Sequence, residues 1–297
     1  MKKVVLIGLG DIGKHHSQGL RHSAILELVA VCDIDPNAPS RCTYADIPYY
    51  DQVETMLDEW HPDMAIVATP PSTHASLVSI CHSREVMALV EKPIAATREE
   101  AGNMLGLLVD NKMDIIYHWM FSQEVLWFKR SIRIFGMKSI HVRVEDPYTD
   151  RNGHVKPSRR FMGGCWMDSG VNALSMISLW VDLATMRLKE IAYEKDGEIL
   201  VVTHALFISG EVEVEIDLNW TTGRNFKETT MLIGDDKYVL HHSEQKVSRN
   251  GEVIFSDQSM DRLDRHYYNF YCLYPSSLIT KNTSILIHKI LFDNIPQ

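Results

Sequence analysis

The stretch Val4-Val5-Leu6-Ile7-Gly8-Leu9-Gly10-Asp11-Ile12-Gly13 decides how this chain is read. A short apolar run rich in β-branched residues leads straight into G-x-G-x-x-G, and a helical pattern opens behind the last glycine. In a strand–loop–helix of this kind the first glycine makes a tight turn. The second lets a pyrophosphate approach the backbone, and the third lets helix and strand pack closely. Backbone N–H groups at the helix N-terminus then hold phosphate without any net positive charge. Gly8, Gly10, Asp11, Ile12 and Gly13 are therefore expected to bind a dinucleotide. Asp33 ends the next apolar run, about twenty residues on, where a carboxylate accepts from the adenosine ribose hydroxyls. A carboxylate there repels a 2′-phosphate, so NAD is favoured, with NADP a possible second cofactor; the next arginine is Arg41. The alternative is a surface turn that merely contains three glycines.

The pattern around this stretch repeats. Val4–Ile7, Leu28–Cys32, Met64–Ala68, Met87–Val90 and Asp114–Tyr117 are short and almost continuously apolar, as strands buried on both faces of a parallel sheet are. Helical patterns lie between them at His15–Arg21, Gln52–Glu59, Thr73–Ser83 and Arg98–Asn111. That alternation predicts βαβ units in a doubly wound parallel sheet of Rossmann type over residues 1–120. A helix over Gln123–Phe135 follows, and the character then changes. Ser139–Glu145, Leu188–Glu194, Glu198–Ile208, Glu211–Asn219, Thr229–Gly234 and Tyr238–Ser243 read as strands, several with period-2 alternation. Asp196-Gly197, Ser209-Gly210 and Asn250-Gly251 supply turns. Helices over Asp261–Leu273 and Ser284–Phe292 close the chain. Residues 121–297 are thus expected to form an α+β domain with a large, mostly antiparallel open sheet, so that the whole is α/β followed by α+β.

Composition limits the function classes. With 297 residues, 45% of them hydrophobic and 23% charged, the chain suits two globular domains. A net charge of -9 argues against nucleic acid as a partner. The five cysteines, Cys32, Cys42, Cys81, Cys165 and Cys272, are scattered and form no C-x-x-C pair, which supports neither a disulfide framework nor a metal site. Lys2-Lys3 before Val4–Ile7 is too short an apolar run for a signal peptide, and no run reaches transmembrane length. A cytoplasmic protein with no membrane partner is expected.

Two further motifs narrow the reading. Glu91-Lys92-Pro93 follows the run Met87–Val90, and Ala68-Thr69-Pro70-Pro71-Ser72-Thr73-His74 lies upstream. With the glycine loop, these resemble the glucose-fructose oxidoreductase / inositol dehydrogenase family. The resemblance implies that Thr69, Pro70, His74 and Glu91 line the cofactor, and that Lys92 sits beside the nicotinamide and the reacting carbon. Many members carry D-x-G-x-H, whose His is the acid/base. Here Asp168-Ser169-Gly170-Val171-Asn172 keeps the Asp and Gly but places Asn172 where that His would stand. An amide exchanges no proton near neutral pH. D-x-G-x-N-A-L-S instead resembles the branch of aldose 1-dehydrogenases, which oxidise L-arabinose or D-galactose to the lactone. Tyr117-His118-Trp119, Glu145-Asp146 and, loosely, Asp217–Trp220 match that branch as well.

The resemblance implies an NAD(P)-dependent oxidoreductase that moves hydride between the nicotinamide and a sugar or polyol, by oxidation of an aldose at C1. Lys92 would stabilise charge developing on the C1 oxygen. Asp168 would act as general base or pair with Lys92, and Asn172 would orient the sugar. His118 and Glu145 would grip other hydroxyls, while Trp119 and Trp166 offer apolar faces. Plainer readings stand beside these. Asp168 and Asn172 also suit the start of a helix over Val171–Leu179. His118 and Glu145 suit strand ends, His15-His16 the surface of the first helix, and His266–Tyr271 a packed helix face. Two rival functions remain: a family enzyme acting on an inositol, a nucleotide sugar, or an imine- or tetrapyrrole-like substrate, and a non-catalytic NAD(P)- or sugar-sensing regulator. Lys92 kept together with Asp168 argues against the sensor. A homodimer is expected, built through the exposed face of the second domain's sheet.

Overall fold

The structure is a computed structural model and describes residues 1–44, 46–276 and 278–294. Residues 295–297 of the expected second domain lie outside the described residues. The chain clusters into two compact units, Met1–His118 with Leu263–Lys281, and Trp119–Arg262 with Asn282–Gln297.

In the first unit, β1 (Lys2–Ile7), α1 (Asp11–Leu20), β2 (Leu26–Cys32), β3 (Tyr49–Tyr50), α2 (Val53–Trp60), β4 (Met64–Val67), α3 (Pro71–His82), β5 (Met87–Glu91), α4 (Arg98–Val109) and β6 (Met113–Ile116) follow one another. The six strands are all parallel, in the order β3-β2-β1-β4-β5-β6. The order reverses between β1 and β4, which opens a crevice at the strands' carboxyl ends where such sheets take their ligands. Every residue of β4 is buried, as the continuous apolar run requires. β3 has no counterpart in the sequence reading, because two residues carry no periodicity; it pairs with Val31 and Cys32, and the Tyr49 hydroxyl donates to the Asp33 carbonyl.

The second unit opens with α5 (Gln123–Ser131) and β7 (Met137–Glu145). One π-helical turn over Trp166–Gly170 then leads into α6 (Val171–Ile177). β8 (Arg187–Asp196), β9 (Ile199–Ser209), β10 (Val212–Asn219), β11 (Phe226–Ile233), β12 (Asp236–His241), β13 (Lys246–Arg249) and β14 (Glu252–Ser256) complete an eight-stranded sheet. Its order is β14-β13-β12-β11-β7-β10-β9-β8, antiparallel except for the β7–β10 pair. Alternation along the strands makes one face apolar: Ile140, Val142 and Val144 on β7 and Val214, Ile216 and Leu218 on β10 are buried. The turn Asn250-Gly251 joins β13 to β14, two strands absent from the sequence reading. They are four and five residues long, too short for alternation to show.

Two helices follow, α7 (Arg262–Leu273) and α8 (Lys281–Asp293). The sequence division at residue 120 places α7 with the second domain, yet Leu263–Lys281 clusters with the first unit. The physical reason is a notch on α1. A Cβ on Gly19 would lie 2.8 to 2.9 Å from Tyr271 and from the Tyr267 backbone, so only glycine lets the two helices approach this closely. Gly19→Ala is expected to cost about 1–3 kcal/mol through overpacking. Urea unfolding, followed alongside an exposed control such as Gly102→Ala, checks this.

Candidate active site

The glycine loop fits a dinucleotide. Gly8 has φ +95°, and a Cβ there would lie 2.7 Å from the Ala68 carbonyl oxygen. A Cβ on Gly13 would overlap the Gly8 carbonyl, which ties the start of α1 to the end of β1. Around Gly10, by contrast, there is open space within 4 Å, the clearance a pyrophosphate needs. Asp11 and Ile12 begin α1 just beyond, where helix N–H groups point outward.

Asp33 holds this loop in shape. Its Oδ2 accepts from the Leu9 N–H at 2.6 Å and its Oδ1 from the Asp35 N–H at 2.9 Å. Each carboxylate oxygen keeps a further lone pair for a ribose hydroxyl. Arg41 forms an ion pair with Asp35 and reaches the Leu9 carbonyl at 3.4 Å. A guanidinium therefore stands beside the loop, although it is engaged by a carboxylate.

The remaining first-unit residues cluster around two loops. His74 is fully buried, with Nε2 2.8 Å from the Thr69 carbonyl and Nδ1 3.1 Å from that of Ile94. Burial drives its pKa below the usual histidine value. It clamps the loop of Thr69 and Pro70 to the segment just after Lys92. Thr69 and Thr73 share a hydroxyl contact at 2.7 Å. Glu91 is 5% exposed. Its Oε1 accepts from His16 at 3.0 Å and from the Tyr267 hydroxyl at 2.6 Å, and its Oε2 from the Lys92 N–H at 3.1 Å. Burial pushes its pKa up, but the His16 contact, the Tyr267 bond and the Lys92 charge outweigh it and hold the carboxyl below its ordinary value. His118 is also buried, 3.0 Å from His266 and stacked on Tyr267. His15 pairs with Asp264 at 2.6 Å.

In the second unit, the π-helical turn carries Trp166, Met167, Asp168 and Ser169 in a row, all buried. Turns of this type recur at functional sites because they re-aim side chains within a helix. Asp168 and Asn172 are 6% and 5% exposed and lie one turn apart. Asn172 Nδ2 donates to the Asp168 carbonyl at 3.3 Å, and its buried Oδ1 meets no hydrogen-bond partner among the described residues. Such an acceptor awaits a donor. Beside this turn, Lys227 donates to Asp146 at 2.6 Å, and Ser169 donates to the same carboxylate at 3.4 Å. Burial lowers the Lys227 pKa, which the Asp146 charge partly restores. Lys227 has no role in the sequence reading, yet a signal for it exists. It occupies the inward phase of β11 with Thr229 and Met231, both buried.

The structure does not gather every expected residue of this unit. Glu145 lies on the opposite phase of β7, held at 3.0 Å by Arg224 Nε and Nη2 and also paired with Arg143. It lines a groove with His141, His204 and Asn219 rather than joining Asp146, Lys227 and Asp168. In that groove His141 and His204 both bind Asp217, at 2.7 and 2.6 Å. Trp166 is completely buried and donates to the Leu291 carbonyl at 2.9 Å, so it anchors α8. Trp119 is 4% exposed and packs on the His242 ring.

Residues 2–117 match the model of the oxidoreductase family, NAD-binding Rossmann fold. The match covers the first unit's strands and glycine loop, which are similar to the NAD-binding domain of that family. Among curated relatives, the rhizopine catabolism protein MocA of Rhizobium meliloti is 29% identical over 171 residues, covering 56% of this chain and 53% of the relative. The inositol 2-dehydrogenase of Rhizobium meliloti strain 1021 is 26% identical over 179 residues, 58% and 52% of the two chains. The chain spans about half the length of the curated relatives it matches. A dehydrogenase of Clostridium difficile shares the whole fold, with a TM-score of 0.77, 15% identity, and 98% of each chain covered. The motifs Gly8–Gly13 and Glu91–Pro93 lie within the matched residues. Among the described residues, no helix is long and apolar enough to cross a membrane.

The depressed pKa of Glu91 gives a test of its surroundings. A carboxyl lowered in the folded state stabilises above its unfolded value of about 4.3, and that contribution fades as pH falls through the folded value. Glu91→Gln is expected to unfold more easily at pH 7 by about 1–3 kcal/mol. The deficit relative to wild type should narrow progressively below about pH 4, as read by urea unfolding at each pH.

Proposed function

We propose that this protein is an NAD(P)-dependent dehydrogenase of a sugar or cyclic polyol, and that Lys92 acts at the hydroxyl being oxidised. The observation that carries this is Lys92 itself. It follows a buried carboxylate held by three donors, in the unit whose glycine loop fits a dinucleotide. Such fixation is costly to build around a lysine with no task. When bound, the cofactor accepts the hydride. Lys92 donates a hydrogen bond to the substrate oxygen and stabilises the charge that grows there.

The second unit supplies the groups that suit a polyhydroxylated ring. Asn172 offers its unpartnered Oδ1 to a hydroxyl donor. Asp168, buried on the same turn, serves in this reading as general base, since Asn172 holds no exchangeable proton near neutral pH. Lys227 and Asp146 present a buried cation and anion beside them. Oxidation of an aldose at C1 is the finer form of the reading, because the proton to be lost there is acidic enough for a carboxylate base and needs no histidine. The relative named as an inositol 2-dehydrogenase favours a second form, oxidation of a ring hydroxyl in a cyclic polyol. For the cofactor, Asp33 at the ribose end favours NAD, while Arg41 beside the loop leaves room for NADP.

The test is absorbance at the reduced-nicotinamide band, with NAD and separately NADP, across aldoses, inositols and nucleotide sugars. Turnover of a sugar or inositol, with kcat falling by about 10³-fold or more in Lys92→Ala, is the expected result. NAD is expected to give the higher kcat/KM. Binding of cofactor with no turnover of any compound would sink the reading in favour of a sensor.

A further inference from the structure

The network around Glu91 extends past the residues that the proposed chemistry uses. α1 and α7 meet at the Gly19 notch, and this sets their facing residues in register. From α7, Asp264, Tyr267 and Tyr271 lie three and four residues apart on one helical face. From α1, His15 and His16 face them, with His15 on Asp264. The His16 and Tyr267 rings lie 4.4 Å apart between centroids. His16, Tyr267 and Tyr271 are 0%, 0% and 1% exposed, so no water replaces their contacts.

The direction of each bond follows from the carboxylate. Glu91 Oε1 only accepts, so the Tyr267 O–H and the His16 Nε2–H both donate to it. His16 Nδ1 is then turned to the Tyr271 hydroxyl at 2.6 Å. Burial keeps that phenol protonated, far above its ordinary pKa, so it is a donor. The chain of donation runs from Tyr271 to His16 to Glu91, with Tyr267 entering from the side. All donation ends on the Glu91 carboxylate, whose Oε2 also accepts from the Lys92 N–H. Other titratable groups near it include His118 and His266, which pair with each other, the His15–Asp264 pair, and Tyr44 and Tyr274 on the Tyr271 side.

We propose that His16, Tyr267 and Tyr271 are positioning residues that act through Glu91 to fix the backbone at Lys92. This deepens the reading of Lys92 as the acting lysine and rests on it. The three do not touch the reacting atoms. They determine where the lysine's stem leaves the chain, and a displaced catalytic group loses rate rather than affinity. Because two of the three come from α7, the lysine is positioned by a segment that the chain adds only after completing β14.

Tyr267→Phe removes one donor and keeps the ring. The control is Tyr268→Phe on the same helix, half-buried against His22 and outside this network. Amide hydrogen exchange at Lys92 and cofactor-saturated turnover are measured on the full chain for both. Exchange at Lys92 is expected to quicken about tenfold in Tyr267→Phe, with other first-unit amides unchanged, since loss of one local bond opens a local segment. kcat should fall by about 10–100-fold with the cofactor KM within about twofold, the split that misplacement produces. Tyr268→Phe should change neither. Tyr271→Phe, which removes only the donor to His16, gives the same pattern more weakly and serves if Tyr267→Phe does not fold.

Exchange that rises evenly across the first unit, or stays unchanged at Lys92, overturns the proposal and leaves these residues a packing role only. If wild type turns over nothing while exchange at Lys92 still responds, the sugar reading fails and the positioning of Lys92 stands. If Lys92→Ala is inactive, wild type is active, and Tyr267→Phe matches Tyr268→Phe, the function stands and the positioning fails.

Discussion

A carboxylate buried in the first unit has to be given donors, and Glu91 obtains them from three parts of the chain. Leaving such a charge unmet in an apolar interior costs far more than a hydrogen bond returns. The arrangement therefore constrains α1, the end of β5 and α7 at once. Gly19 permits the close approach, Tyr267 and Tyr271 supply the hydroxyls, and His16 lies between them. Much of what distinguishes this Rossmann unit from a bare nucleotide-binding sheet follows from satisfying that one group.

Elsewhere in the same unit the backbone, rather than charge, shapes the cradle. Gly8 and Gly13 allow strand, loop and helix to touch, and Asp33 fastens the loop through the Leu9 N–H. A net charge of -9 is no obstacle, since the donors for phosphate are peptide groups. His74 plays a related part, joining two loops through carbonyls. In the second unit the π-helical turn performs the equivalent task. It buries Asp168 near the Lys227–Asp146 pair, and Asn172 Oδ1 meets no hydrogen-bond partner among the described residues.

The two phases of β7 show why strand-borne site residues are hard to assign from sequence. Glu145 and Asp146 are adjacent, yet one is taken up by Arg224 and the other by Lys227. Which carboxylate faces the Asp168 turn depends on the register of β7 against β10 and β11, and that register is set by cross-strand packing. Trp166 is a related case. The sequence offers it as an apolar face for a sugar, whereas its complete burial and its bond to Leu291 make it an anchor for α8.

Local patterning was enough to specify the Rossmann half: the apolar runs, the glycine spacing and Asp33 are short-range signals, and each element formed close to where they placed it. The alternating strands from Ser139 to Ser243 likewise announced a second sheet. What depended on tertiary structure were contacts between residues far apart in sequence. The grouping of α7 with the first unit, the donors to Glu91, the burial of Lys227 and the fate of Glu145 all arise from packing between elements. Periodicity reports which face of an element is apolar; it does not report which other element will cover that face.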